Sequence, residues 1–183
     1  MGHEALVVGG SGMLAEVSRW LAHTGYHVTV IGRDRSRLEQ VAKNSSTPDR
    51  FTLLDLDYQD TTALQQAMSQ LRSERGPIDV AVTWIHNTAP EALSVIQHEF
   101  AYQAEEWRLY HVCGSRAWIK PPFVEEVDSC LYRRIILGFV WEEPVARWLT
   151  NDEIACGVIR AIETDQPQSI IGKVEPWERR PGY

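Results

Sequence analysis

LVVGGSGMLAEVSRWL, residues 6–21, joins an apolar run to a glycine-rich turn and then to a segment with helical spacing. In that segment Leu14, Val17 and Leu21 recur at intervals of three and four residues, which places them on one face of a helix. The stretch therefore predicts a first strand over 5–8, a turn over 9–12 and a helix that buries this face.

The rest of the chain repeats this alternation of strand and helix. Further strands are predicted at 27–31, 51–56, 78–85, 108–113, 134–140 and 169–174. Helix starts are predicted from cap-forming residues at 36–39, 62–65, 88–91 and 150–153. Because strands that alternate with helices are joined by right-handed crossovers, we expect an α/β fold with a single Rossmann-like, doubly wound parallel sheet in three αβα layers.

Size and charge limit the classes of protein to consider. A chain of 183 residues with 44% hydrophobic and 23% charged residues suits one soluble domain, here taken as residues 1–183. The net charge of −7 provides no broad basic surface, so we expect no nucleic acid partner. No apolar run reaches the roughly 20 residues that span a bilayer. The N-terminus also lacks a signal-peptide pattern, so we expect no membrane association.

The cysteines indicate a reducing environment. Cys113, Cys130 and Cys156 are few, odd in number and widely spaced, without a Cys-x-x-Cys pair. The sequence therefore predicts neither a disulfide framework nor a metal site, and a cytoplasmic location fits this usage.

The glycine turn has the spacing of a site for the pyrophosphate of a dinucleotide. Gly9, Gly12 and Ala15 follow the pattern Gly-x-x-Gly-x-x-Gly/Ala, directly after a strand and before a helix. Glycine lets the backbone approach a phosphate, and the first turn of the helix offers free N–H groups and a positive dipole end. The predicted cofactor-binding residues at this turn are Gly9, Gly10, Ser11, Gly12, Met13 and Leu14.

Basic residues follow the second predicted strand, where a dinucleotide site contacts the adenosine ribose. Three arginines, Arg33, Arg35 and Arg37, occur within five residues beside a helix start. Guanidinium groups bind phosphate in a bidentate manner, so this segment favours the 2′-phosphate of NADP over NAD. Arg33 is the first candidate and Arg37 the second, while Arg35 is interpreted as part of a solvated helix entrance. Asp34 leaves NAD as an alternative cofactor, because its carboxylate could reach the ribose hydroxyls.

With these residues in place, the chain resembles the short-chain dehydrogenase/reductase family along nearly all of its length. The glycine turn is similar to the phosphate turn of that family, and Arg33 to its NADP-type strand end. The segments at 78–80 and around Gly172 are similar to its fourth and last strands. The resemblance implies an NAD(P)-binding Rossmann domain in which Asp55 and Leu56 contact the adenine ring.

The chain departs from this family where the family carries its chemistry. Trp84, Ile85 and His86 stand where the family commonly has Asn-Ala-Gly, and the resemblance implies that Trp84 and Ile85 contact the cofactor. The catalytic Tyr-x-x-x-Lys of the family is absent. Only 116–133 separates the fifth and sixth predicted strands, and prolines interrupt it, so the catalytic helix of the family is predicted to be missing.

Other residues at the carboxyl ends of the predicted strands could act on a substrate. His86 follows the fourth strand and could donate a proton near neutral pH, or could be a loop histidine bonded to the backbone. Ser115 resembles the family's catalytic serine in position and could hydrogen-bond a carbonyl oxygen, or could cap a turn. His111 is predicted to be structural inside the fifth strand, and Tyr132 could approach the cleft without an accompanying lysine.

Two functions fit these observations. The first is an NADPH-dependent oxidoreductase acting on a small carbonyl-type substrate, with hydride from the nicotinamide and with Ser115 or His86 polarising the acceptor. The second is a catalytically silent NADP-binding module that senses the cofactor or supports an assembly, so enzymatic activity stays open. A scaffold with an empty cleft is a third, less favoured interpretation. The seven tryptophans are compatible with a homo-oligomer, because tryptophan is frequent at protein interfaces.

Overall fold

A parallel sheet forms the centre of the computed structural model, which describes residues 2–182. Its strands and those of a small hairpin are β1 (Glu4–Val8), β2 (His27–Gly32), β3 (Phe51–Asp55), β4 (Val80–Trp84), β5 (Trp107–Cys113), β6 (Cys130–Leu137), β7 (Phe139–Glu142), β8 (Val145–Trp148) and β9 (Gln168–Ile171). The sheet has the order β3-β2-β1-β4-β5-β6-β9, with every neighbouring pair parallel. This arrangement confirms the predicted doubly wound α/β fold.

Helices cover both faces of the sheet. Those in the described range are α1 (Ala15–His23), α2 (Arg35–Lys43), α3 (Thr61–Arg75), α4 (Ala92–Glu99) and α5 (Asn151–Thr164). Helices α1, α2 and α5 pack on one face, and α3 and α4 on the other. In β1, Ala5 and Val7 enter the first core and Leu6 and Val8 the second, since successive strand residues point to opposite faces. None of these helices is long and apolar enough to cross a membrane.

The start of α5 matches the sequence. Thr150 and Glu153 form the predicted capping box, in which each side chain accepts a hydrogen bond from the backbone N–H of the other residue. The two bonds measure 3.2 Å to the Thr150 hydroxyl and 2.8 Å to the Glu153 carboxylate. The box satisfies two N–H groups that the first turn of a helix otherwise leaves free.

Three other helix starts differ from the prediction. Asp34 caps α2 in place of the predicted box at 36–39, and Asp60 caps α3 in place of Thr62. In both, the carboxylate accepts a hydrogen bond from the backbone N–H three residues on, at 3.1 and 3.0 Å. A carboxylate here also complements the positive end of the helix dipole, which favours aspartate over a hydroxyl. Helix α4 begins without a side-chain cap, after the box predicted at 88–91.

The sixth predicted strand, 134–140, is wrong at both ends. Strand β6 starts four residues earlier and ends before Gly138, where the chain leaves the sheet for the β7–β8 hairpin. The Gly138 N–H donates to Ile171 O at 2.8 Å, and a Cβ atom at Gly138 would lie 2.1 Å from Lys173 O. This close backbone contact requires glycine and redirects the chain. A turn at 143–144 joins the two strands of the hairpin.

The segment between β5 and β6 is short, as predicted. Within 114–129, which the structure describes in full, the only helix is a four-residue 3-10 helix at Ser115–Trp118. The rest runs in an irregular path past Pro121 and Pro122 to β6. The long helix of the family between these strands is therefore absent from the described chain, and the carboxyl ends of β4 and β5 lie open on that side.

Candidate functional site

The glycine turn is held tightly between its neighbouring strands. Gly9 has φ +80°, and its N–H donates to Ile31 O on β2 at 3.1 Å. A Cβ atom at Gly9 would lie 2.7 Å from Trp84 O, and one at Gly10 would lie 2.7 Å from Val30 Cγ1. Glycine is needed at both positions, because the backbone approaches β2 and β4 more closely than a side chain allows.

The outer side of the turn faces open space. A Cβ atom at Gly12 would have nothing within 4 Å. The N–H groups of residues 11–14 donate no hydrogen bond to any described residue, and α1 has no side-chain cap. The Leu14 side chain is fully buried and Met13 packs against the core, so these two residues can offer a ligand their backbone N–H groups. Free N–H groups at a helix start form a site that favours an anion.

The residues after β2 lie beside this turn. The Ser11 hydroxyl would be 3.1 Å from a Cβ atom at Gly32, so Ser11 lies over the end of the strand. Arg33 is exposed, and its side chain has no ion pair or hydrogen bond with any residue in 2–182. Asp34 caps α2, and its second carboxylate oxygen lies 3.5 Å from Arg37 Nε. Arg33 is thus the basic group here that remains available to a ligand.

Arg35 has a larger role than its interpretation as a solvated helix entrance. Its Nη1 donates to Leu53 O at 3.2 Å and to Asp55 Oδ1 at 3.5 Å, while its Nε donates to Glu39 at 2.9 Å. Arg35 therefore joins α2 to the end of β3. Leu56, the residue that follows this strand, is half-buried.

A cleft of about 710 Å³ opens at the carboxyl ends of β4 and β5. Trp84 lines it and also contacts the turn at Gly9, so the cleft begins where the turn ends. Ile85 and His86 continue this wall, and the His86 ring stands edge-on to Trp84, with 5.7 Å between ring centroids. His86 is exposed and reaches the cleft, as its sequence position suggests.

Ser115, the second candidate, is placed differently. It is buried at the start of the 3-10 helix, and it is not among the described residues that line the cleft, although Gly114 and Arg116 are. Cys113 also lines the cleft, but burial raises the pKa of its thiol to about 12. The thiol therefore stays protonated and is a poor nucleophile at neutral pH.

His111 contributes to the cleft instead of serving the core alone. It lines both this cleft and an adjoining cavity of about 310 Å³, and its Nδ1 lies 3.0 Å from the Tyr132 hydroxyl. Burial, aided by the positive charge of Arg134, lowers the pKa of His111 to about 4. Burial also raises the pKa of Tyr132. Both side chains are therefore neutral at neutral pH.

The direction of that hydrogen bond follows from its partners. The half-buried Tyr132 hydroxyl has no other partner among residues 2–182, so the arrangement that satisfies both groups has Tyr132 donating to His111 Nδ1. In this arrangement Nε2 carries the ring proton. Sequence reasoning could not find this pair, because it depends on how β5 and β6 align.

Within residues 2–182, no group of three or more His, Cys, Asp or Glu side chains could hold a metal ion. The parallel sheet, the open glycine turn and the adjoining cleft together define a Rossmann-type α/β protein. The short chain dehydrogenase family model matches residues 3–107. The chain therefore belongs to the short-chain dehydrogenase family. The match covers the turn and Arg33, and it ends at the first residue of β5.

Solved structures share this fold at low sequence identity. A protein of Escherichia coli K-12 assigned as an oxidoreductase has a TM-score of 0.74 at 16% identity, covering 99% of this chain and 100% of its own. A double-substitution variant of a Serratia marcescens short-chain dehydrogenase/reductase has a TM-score of 0.72 at 20% identity, and the match covers 93% of this chain and 96% of that one. The RhlG/NADP complex of Pseudomonas aeruginosa has a TM-score of 0.70 at 13% identity, and the match covers 93% of this chain and 94% of that one. No curated protein matches the sequence significantly.

Proposed function

We propose that this protein binds NADP and reduces a small carbonyl compound in the cleft beside the glycine turn. The observation that carries the proposal is the double role of Trp84, which contacts the turn at Gly9 and lines the cleft. A dinucleotide with its pyrophosphate on the turn would extend its nicotinamide along this wall. Family membership and the NADP complex of a protein with this fold support the same cofactor.

Each part of the cofactor has candidate residues. The free N–H groups of Ser11, Gly12, Met13 and Leu14 suit the pyrophosphate, and Gly9 and Gly10 shape the turn that presents them. Asp55 and Leu56 suit the adenine ring, and Trp84 and Ile85 suit the nicotinamide. Arg33 suits the 2′-phosphate, because it is exposed and unpaired within the described chain. Asp34 is engaged by the cap of α2 and by Arg37, which weakens the case for NAD.

When bound, the reduced nicotinamide supplies a hydride to the carbonyl carbon. The chain must hold the carbonyl oxygen and provide the proton that completes the alcohol, leaving the oxidised cofactor. His86 can provide the proton from the wall of the cleft. His111, with its tautomer set by Tyr132, can hold the carbonyl oxygen by a hydrogen bond from Nε2. Ser115 stays a candidate that would have to turn toward the cleft from its buried position.

The first test is titration with NADPH and NADH, followed by tryptophan fluorescence and energy transfer to the nicotinamide. We expect Arg33→Ala to weaken NADPH binding by about 10- to 100-fold, since hydrogen bonds to a charged group contribute about 1.5–3 kcal/mol. NADH binding should stay unchanged. Arg160→Ala, an exposed substitution on α5, is the matched control. Equal loss for both nucleotides would contradict the assignment of Arg33.

A catalytically silent NADP-binding module is the second candidate. The observation that favours it is the short segment between β5 and β6, which lacks the family's long helix, together with the missing Tyr-x-x-x-Lys. Under this alternative the same cofactor residues act, but no acceptor is reduced.

Substitution of the two predicted catalytic candidates separates the two functions. If the protein is a reductase, we expect His86→Ala and Ser115→Ala to reduce NADPH oxidation by about 100-fold together, a typical contribution of acid–base groups. Cofactor affinity should change little. A spectrophotometric screen of aldehydes and ketones measures the rates. An absence of turnover in the parent protein, with tight NADPH binding, would favour the silent module.

A further inference from the structure

The cleft differs in charge from the rest of the molecule. The chain carries 25 acidic and 18 basic residues, with a net charge of −7. Among the described residues that line the cleft, the charged ones are Arg116 and Lys120, and no aspartate or glutamate accompanies them. An acidic protein therefore presents a locally positive wall to whatever enters this cleft.

The two cations belong to one short segment and face the same way. The Lys120 N–H donates to Arg116 O at 2.9 Å, which places the two residues one helical turn apart. Side chains with this spacing emerge on the same side of the backbone. Both are exposed and both line the cleft, so their charged groups can reach one ligand together.

Neither cation is neutralised by the protein. Other arginines near acids form ion pairs, such as Arg35 with Glu39 and Arg147 with Glu153. The side chains of Arg116 and Lys120 have no ion pair or hydrogen bond with any residue in 2–182. An arginine fork and a neighbouring ammonium are suited to the oxygens of a carboxylate or a phosphate.

The rest of the lining fits a short acceptor with one charged end. His86 follows β4 and His111 lies on β5, whereas the two cations follow β5 on the 114–120 segment. Phe123, which is 95% exposed, supplies apolar surface at the mouth. A ligand anchored by its anionic end would therefore direct a carbonyl group toward the histidines.

We propose that the cleft binds an anionic acceptor, an aldehyde or ketone whose carboxylate or phosphate is held by Arg116 and Lys120. The reduction of this acceptor rests on the proposed function, but its binding does not. None of the turn residues 9–14 is among the described residues that line this cleft, so we assign the two cations to the acceptor and not to the pyrophosphate of the cofactor.

Three para-substituted acetophenones, which differ only in the group opposite the acetyl group, test the proposal. They are 4-acetylbenzoate, 4-acetylphenyl phosphate and the neutral 4-methylacetophenone. Calorimetric titration of the free protein and of the protein saturated with NADP⁺ measures their affinity without turnover. We expect at least one anionic probe to bind tenfold or more tightly than the neutral probe. Comparison of the two anionic probes distinguishes a carboxylate site from a phosphate site.

Variants then assign the effect to the two cations. Arg116→Gln and Lys120→Gln should each weaken binding of the anionic probe by about tenfold. Their affinities for the neutral probe and for NADPH should stay unchanged. Arg160→Gln on α5 is the control for general charge, and thermal unfolding checks that each variant folds. Equal affinity for all three probes, no binding of either anionic probe, or an equal loss of NADPH affinity in both variants would overturn the proposal.

The outcome is separable from that of the proposed function. If the anionic probes bind as expected and NADPH is not oxidised, the anionic site stands and the reductase proposal fails. If NADPH is oxidised as rapidly with the neutral ketone as with the anionic ones, the reductase proposal stands and the anionic site fails.

Discussion

At the scale of single residues, the glycines of the turn are needed for different reasons. A Cβ atom at Gly10 would lie 2.7 Å from Val30 Cγ1 and 2.9 Å from Val7 Cγ1, inside the packed core. A Cβ atom at Gly12 would enter open space. Gly10 therefore serves packing, whereas Gly12 leaves room for a ligand to approach the backbone.

Alanine at these two positions should separate stability from binding. We expect Gly10→Ala to lower the free energy of unfolding by about 1–3 kcal/mol, because the new methyl group overpacks the core. Gly12→Ala should change it by less than about 1 kcal/mol and should instead weaken NADPH binding. Urea unfolding and NADPH titration of both variants measure this. An equal loss of stability in the two variants would show that the turn is uniformly crowded.

At the scale of elements, one carboxylate joins a helix to two strands. Asp165 follows α5 and accepts hydrogen bonds from Arg133 on β6 at 2.9 Å and from Arg108 and Tyr110 on β5 at 2.8 Å. Burial by itself would raise the pKa of Asp165, but these bonds outweigh it and lower the pKa from 3.8 to about 2. Because the folded value is the lower one, the stability it contributes is complete above about pH 4 and is lost as the pH falls through 2.

Asp165→Asn should destabilise the protein by about 1–2 kcal/mol at pH 7, after allowance for solvent screening. Asparagine suits the left-handed backbone here, φ 49°, so the substitution tests the charge rather than the turn. Urea unfolding at pH 7 and pH 2 measures the effect, which should shrink at the lower pH. Glu163→Gln, an exposed change on the same helix, is the control. If the difference in free energy of unfolding between Asp165→Asn and the parent protein stays constant down to pH 2, the proposed dependence of stability on the Asp165 charge is contradicted.

At the scale of the whole molecule, the candidate cofactor residues come from four strands but lie along one edge of the sheet. The turn follows β1, Arg33 follows β2, Asp55 ends β3 and Trp84 ends β4. A ligand that contacts all four regions must bind the folded state and not the unfolded chain. Its binding should therefore stabilise the entire fold.

NADPH at about 100 times its dissociation constant should add about 2.7 kcal/mol to the free energy of unfolding. For a chain of this size that corresponds to a rise in melting temperature of roughly 5–11 °C. Differential scanning fluorimetry with NADPH and NADH measures it. In Arg33→Ala the shift with NADPH should fall toward that with NADH at the same concentrations, and an undiminished shift would argue against the 2′-phosphate contact.

Local sequence patterns were sufficient where the relevant contacts are local. The apolar spacing of Leu14, Val17 and Leu21 predicted the buried face of α1, and all three side chains are fully buried. The capping box of α5 was readable because it involves residues three apart. The β7–β8 hairpin was missed, because the chain turns at Gly138 through contact with Lys173, which lies 35 positions further along.

The sequence by itself determined the alternation of strands and helices in the parallel sheet, the presence of the glycine turn with Arg33 beyond it, and the loss of Tyr-x-x-x-Lys. Each of these features is carried by residues that are neighbours in the chain. Only the tertiary structure decided that His111 meets Tyr132 and that Ser115 is buried. It also decided that Arg116 and Lys120 share one cleft with His86. The reason is physical: these relations depend on strand register and on packing between distant segments, which local spacing does not specify.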